Sequence, residues 1–266
     1  QGNNIVVDAN MGSGAITQAS GRVSGASAQL TGSSVSVDTT LSSLTVNATG
    51  NVDVNNNSTS LAPTITTGGS VNLDSTAGDI TSASVTAGTS ATVGASGSVG
   101  GTFSADSVTL EGQSISANVS TNTLRANASA GDATLTSGGT DTLRVEDSSA
   151  SGTFDLTHGG NVEFTSITGT QVNISAADIT DVSGQTIIAS GITLDGNTIF
   201  VNTQGQIIVV NAQGDVTISN SVVDVDSLTI DSQGNVSFDT TGNLIVNQVA
   251  GLNGVTISSG GNIGST

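Results

Sequence analysis

Carboxylates are the main chemical resource of this sequence. It carries 21 Asp and Glu against three Arg, no Lys and a single His, for a net charge of −18. The densest acidic run is Asp224 and Asp226, with Asp231 and Asp239 close behind. Oxygen ligands of this kind suit Ca²⁺. The Gly-Gly-x-Gly-x-Asp repeat of calcium-binding rolls is missing, however, and outward, solvated positions on one strand are the simpler account of the run. Glu146 and Asp147 beside Arg144 look like an acid/base pair, but their spacing supplies no nucleophile. The simpler expectation is an ion pair of Arg144 with Glu146 or Asp141. Arg125, preceded by Leu as Arg144 is, reads the same way, as charge balance. His158 lies in Thr157-His158-Gly159-Gly160, which reads as a turn with an exposed imidazole. A general base needs an orienting carboxylate and a nucleophile, and Asp155 and Thr157 are weak candidates for those parts. A paired-carboxylate glycosidase or a lyase would need aromatic platforms or basic groups for its sugar. The chain has five Phe and no Tyr or Trp. Those Phe mostly occupy apolar positions suited to a core. No catalytic, cofactor-binding or metal residue is therefore assigned, and the chain is not expected to be an enzyme.

The same counts exclude other classes. With no Cys there is neither a disulfide nor a thiolate metal site. Three cationic side chains cannot neutralise a phosphate backbone, so no nucleic-acid partner is expected. No apolar run approaches 18 residues, so no segment reads as membrane-inserted. An acidic chain free of Lys and Cys suits export to an oxidising medium, and its charge opposes self-association of exposed strand edges.

The elements that would hold these side chains are short. The recurring word is Gly, a polar residue, then apolar–polar–apolar. Copies are Gly50-Asn51-Val52-Asp53-Val54, Gly69-Ser70-Val71-Asn72-Leu73, Gly160-Asn161-Val162-Glu163-Phe164, Gly214-Asp215-Val216-Thr217-Ile218 and Gly234-Asn235-Val236-Ser237-Phe238. The first apolar position recurs at a nearly fixed interval, from Val52 to Val71, from Val172 to Ile192, and from Val216 through Val236 to Val255. Secondary words such as Leu228-Thr229-Ile230 fall about half a period away. The words alternate with period two, not 3.6, and Gly, Asn, Asp and Ser punctuate them. No window has helical periodicity. A period of about 19–20 residues with very short strands describes one coil of a parallel β-solenoid, and 266 residues make about 13 coils. One coil cannot bury its apolar side alone, so the stack is the stable unit. Ala28, Ala126 and Ala133 suggest a narrow interior.

We expect one solenoid over residues 1–266, with thinner or less regular coils at about 76–130, where the words are rich in Ala, Ser and Gly. Thr-x-Thr words at Thr64-Ile65-Thr66, Thr121-Asn122-Thr123 and Thr140-Asp141-Thr142 would form a flat ice-binding array only if they fell on one face of every coil. Their sporadic placement argues against that. Sequons occur at Asn47, Asn56, Asn57, Asn118, Asn127, Asn173 and Asn235.

The C-terminal run, from Gly234-Asn235-Val236-Ser237-Phe238 through Gly242-Asn243-Leu244 to Gly260-Gly261-Asn262-Ile263, resembles the shafts of filamentous-haemagglutinin-like adhesins. These are large bacterial exoproteins of the two-partner secretion type. The resemblance covers most of residues 40–266. It implies a right-handed parallel β-helix in a secreted or cell-surface structural and adhesive rod, acting as a shaft or a biofilm filament. It also implies secretion through an outer-membrane partner. The family's N-terminal secretion domain is not recognisable, so the chain reads as an excerpt of a longer rod. Expected partners are the chain itself, end to end or laterally, or host or biofilm polysaccharide. The other reading is a carbohydrate- or receptor-binding β-helix module, and behind it a polysaccharide-active enzyme.

Overall fold

The computed structural model describes residues 2–9, 11–222 and 224–265. Among these residues there are thirty β-strands and no helix. All the strand pairs whose register is defined are parallel, and each strand pairs with the strand one coil away. The fold is a parallel β-solenoid whose chain alternates between two sheets, here called A and B. It divides into two compact units, residues 1–131 and 132–266.

In the first unit, the sheet B column runs Val35, Val52, Val71, Ala91, Val108, Leu124. Its sheet A counterpart runs Leu30, Val46, Ile65, Val85, Phe103, Val119. All twelve side chains are buried. Stacking like on like across strands about 4.8 Å apart fills a narrow interior with β-branched and aliphatic groups. Coil length is not constant. The coils from Ala91 to Val108 and from Val108 to Leu124 are shorter than the one from Val52 to Val71. Along this sheet B column the strands stay in register while the corners absorb the difference, whereas in sheet A some of the slip falls within strands. The single proline obeys the same logic. Pro63 lacks a ladder N–H and sits where the strand Ser60–Thr67 slips register against its neighbour, between Leu61 and Thr64.

In the second unit, sheet B stacks Leu143, Val162, Ile179, Ile199, Val216, Val236 and Val255. Longer and shorter coils again mix along this column, and the partners still meet one for one. Sheet A stacks Ala133, Phe154, Val172, Ile192, Ile208 and Leu228. Ala28, Ala126 and Ala133 are all interior, as their size suggested. Four of the five Phe fill the core; Phe200 is 56% exposed on the outward side of sheet B.

Each unit carries a polar column inside. Thr39 donates from Oγ1 to Asn56 Oδ1 (2.8 Å), which also accepts the Leu41 N–H (3.0 Å). In the second unit Thr203 Oγ1 donates to Asn220 Oδ1 (2.9 Å), which accepts the Gly205 N–H (3.0 Å). The arrangement is the same in both, down to a 17-residue offset from Thr to Asn. The amide caps a backbone N–H that turns inward where the chain leaves the sheet, satisfying a group that burial would otherwise leave costly.

Candidate functional site

The recurring Gly-Asn or Gly-Asp word is a coil corner. A Cβ added at Gly69 would lie 2.7 Å from the Gly50 carbonyl carbon and 2.8 Å from Asn51 N. At Gly234 the same atom would meet Gly214 and Asp215 at 2.5 and 2.7 Å. Only glycine lets successive corners stack this closely. At several corners the residue after the glycine uses its side chain as a bridge. Asn51 Oδ1 accepts the Ser70 N–H (3.1 Å), and Asp215 Oδ1 accepts the Asn235 N–H (2.7 Å). Asp79 takes the Ser98 N–H (2.7 Å) and Asp178 the Thr198 N–H (3.0 Å). A share of the acidic residues is therefore committed to joining one coil to the next.

Asp224 belongs to that class. Its Oδ1 accepts from Asn243 N (3.2 Å) and Asn243 Nδ2 (2.7 Å), and Asn243 Oδ1 in turn accepts the Asn262 N–H (2.9 Å). Asp226 and Asp231 lie further along the same strand, Asp224–Ser232, in sheet A. Asp239 is on Asn235–Thr240 in sheet B. The structure does not bring the four carboxylates together. Among the described residues no group of three or more His, Cys, Asp or Glu could hold a metal ion.

The other candidates are equally dispersed. Arg144 Nε meets Glu146 at 3.3 Å, an exposed pair as anticipated, and faces Glu163 across the ladder. Asp147 engages Thr165 instead: its N–H donates to Thr165 Oγ1 (3.0 Å), and that hydroxyl donates to Asp147 Oδ1 (3.1 Å). The expectation of an exposed His158 is corrected. His158 ends the strand Thr153–His158 and is 5% exposed. The alternation Phe154, Leu156, His158 carries it inward, and the turn begins only at Gly159. Its Nε2 lies 2.8 Å from the Asp141 carbonyl oxygen, so the imidazole pins the loop that contains Asp141. Among the sequons, Asn56 is fully buried and bonded, so it presents no amide for modification. Asn47, Asn57, Asn118 and Asn235 are exposed.

Charge divides the two faces of the first unit. Outward positions of sheet B carry Asp38, Asp53, Asp74, Glu111 and Arg125. The aligned outward positions of sheet A, from Gln29 to Ser120, are mostly Ser and Thr; the charges of this sheet lie at its margins, Asp8 beside Thr31 and Asp79 opposite Ser60 at a corner. On sheet B an open groove of about 570 Å³ runs across four coils, lined among others by Asp74, Gly94, Glu111, Gly112 and Asn127. In the second unit Asp155, Asp195 and Asp231 fall on outward positions of sheet A, so no comparable neutral face exists there among the described residues.

No family model matches the chain, and neither a curated protein nor a solved structure matches it. What the chain offers chemically is two kinds of surface. One is acidic, with carboxylates bonded from coil to coil at the corners. The other is regular and rich in hydroxyls, with its carboxylates at the margins.

Proposed function

We propose that the chain is a structural and adhesive shaft segment, displayed outside a bacterial cell or in its matrix. The observation that carries this reading is the coil-to-coil register, which is regained after local shifts in five of the described strand pairs. It gives each unit a mainly apolar interior and a solvated exterior with no convergent constellation of acids, bases or nucleophiles among the described residues. A stack of this kind resists bending and pulling because each coil is held by backbone ladders on two sheets and by side-chain bridges at its corners. The composition supports an extracellular setting: it has no Cys to oxidise, and its net charge of −18 keeps neighbouring copies apart. The resemblance to filamentous-haemagglutinin-like shafts points the same way, and with it secretion through an outer-membrane partner.

Antibodies raised against the 266-residue chain should label intact cells of the organism that makes it, or its culture medium. Label released only when those cells are lysed would overturn the proposal.

A second reading, a carbohydrate-binding module, is favoured by the open groove over Asp74, Gly94, Glu111 and Asn127. Its carboxylates accept hydrogen bonds from sugar hydroxyls, and its lining holds no cation for a uronate. Titration with neutral oligosaccharides, read by NMR shifts of residues 74–129, tests it. Saturable shifts there would favour the module over the plain shaft, and their absence would dismiss it.

A further inference from the structure

We infer that the uncharged, hydroxyl-lined centre of the outward face of sheet A in the first unit binds ice. Six side chains form its centre: Thr64 and Thr66, Ser84 and Thr86, Thr102 and Ser104. They lie on three successive coils, in register as Thr64–Ser84–Thr102 and Thr66–Thr86–Ser104. The residues between them, Ile65, Val85 and Phe103, point inward and are buried to 1% exposure or less, which fixes the six as outward. The coils on either side continue the two rows with Thr45 and Asn47, and with Asn118 and Ser120.

Three observations point to a lattice of water rather than to a macromolecule. The first is geometry. Neighbours in a row are about 4.8 Å apart and the rows about 6.6 Å apart, from the strand spacing and twice the rise per residue. Both repeats are comparable with the oxygen repeats of a prism face of hexagonal ice. Threonine is stiff about χ1, so its hydroxyl and methyl hold that pattern with little motion left to lose.

The second is the hydrogen-bond inventory. Corner side chains are bonded from coil to coil, as in Asn243 Nδ2 to Asp224 Oδ1 at 2.7 Å, and on sheet B Asn72 Nδ2 donates to Asp53 Oδ1 at 2.8 Å. By contrast, none of the six array hydroxyls has a protein partner among the described residues. Each remains able to donate and accept toward an external layer.

The third is charge. In a chain of net charge −18 the rows from Thr45 and Asn47 to Asn118 and Ser120 carry none: the carboxylates of this sheet lie at its margins, Asp8 beside Thr31 and Asp79 at a coil corner where it accepts the Ser98 N–H, so no strongly hydrated ion stands within the array. A soluble glycan would call for a groove or an aromatic platform, and the open groove lies on the other sheet.

This activity stands apart from the shaft reading, since cell-surface location and ice affinity are measured separately. The test is partition of the purified chain into slowly growing ice, together with inhibition of ice recrystallisation. The wild-type protein should enter the ice, whereas an acidic protein of similar size that does not bind ice stays in the liquid. Thr86→Arg, at the centre of the array, should reduce partition to the level of that control protein. Thr66→Lys on the adjoining coil should do the same, so a folding failure in one variant, seen by circular dichroism, leaves the other to decide. Thr92→Arg, outward on sheet B, should enter ice like the wild type. Exclusion of the wild-type chain from ice would overturn the inference. So would undiminished entry of folded Thr86→Arg and Thr66→Lys, or equal loss in all three variants.

Discussion

Asn56 and Asn220 show how a single polar side chain settles a corner of this fold. Each is buried and accepts a threonine hydroxyl and a backbone N–H. Asn220→Ala leaves the Gly205 N–H and the Thr203 hydroxyl buried without an acceptor, at an expected cost of about 1–3 kcal/mol. Urea denaturation of the variant measures it; an unchanged midpoint would mean that water replaces the amide. The phenylalanines give a paired contrast. Phe238 is 1% exposed and Phe200 56%. Truncating Phe238 to Ala should cost about 3–5 kcal/mol. The same change at Phe200 should leave the denaturation midpoint nearly unmoved.

At this scale the sequence was legible where period two was clear and misleading where a turn residue followed. Phe154-x-Leu156-x-His158 carries the alternation one step further than the Gly159-Gly160 pair suggested. Asn56, counted as a sequon, is an interior residue because Val52, Val54 and Asn56 share one side of their strand. Thr and Ser act alike in the outward rows, so a search confined to Thr-x-Thr missed Ser84-Val85-Thr86 and Thr102-Phe103-Ser104. Their register with Thr64-Ile65-Thr66 needs a longer coil followed by a shorter one, which a fixed period hides.

The coil corner is the unit in which the repeat makes physical sense. The Gly-Asn-apolar word is a packing rule: glycine for the close approach, an acceptor side chain to reach the next coil, then the first inward residue. Gly234→Ala places a methyl 2.5 Å from the Gly214 backbone, so that corner must move apart. A loss of about 1–3 kcal/mol is expected from such overpacking. Thermal unfolding followed by circular dichroism checks it, and a midpoint equal to wild type would contradict the account of the word. The same rule bears on calcium. Asp224 Oδ1 already bonds Asn243, and its acidic neighbours lie along one strand or on the other sheet. Adding Ca²⁺ or EDTA should therefore leave the unfolding midpoint where it is; a clear rise with Ca²⁺ would restore the cluster as a site.

Taken whole, the chain illustrates which properties of a solenoid lie on the surface of its sequence. The parallel stack, the strand words and the typical coil length follow from spacing alone, because Val52 and Val71, and then Val216, Val236 and Val255, recur as register partners. The division of charge between the two sheets does not. It emerges only when irregular corners have set the register and the outward residues of successive coils can be placed side by side. The measurement that tests this register most directly uses the absence of cysteine. In a Thr217→Cys/Ser237→Cys variant the two thiols occupy partner positions on adjacent coils, a full coil apart in sequence. In Thr217→Cys/Asp231→Cys they are closer in sequence but on opposite sheets. A disulfide forms readily only when Cα atoms lie within about 4.4–6.8 Å. Mild oxidation of the folded monomers should close the first pair and leave the second reduced. Closure of the second pair as fast as the first, or failure of the first in folded protein, would contradict the coil-to-coil register on which the account rests.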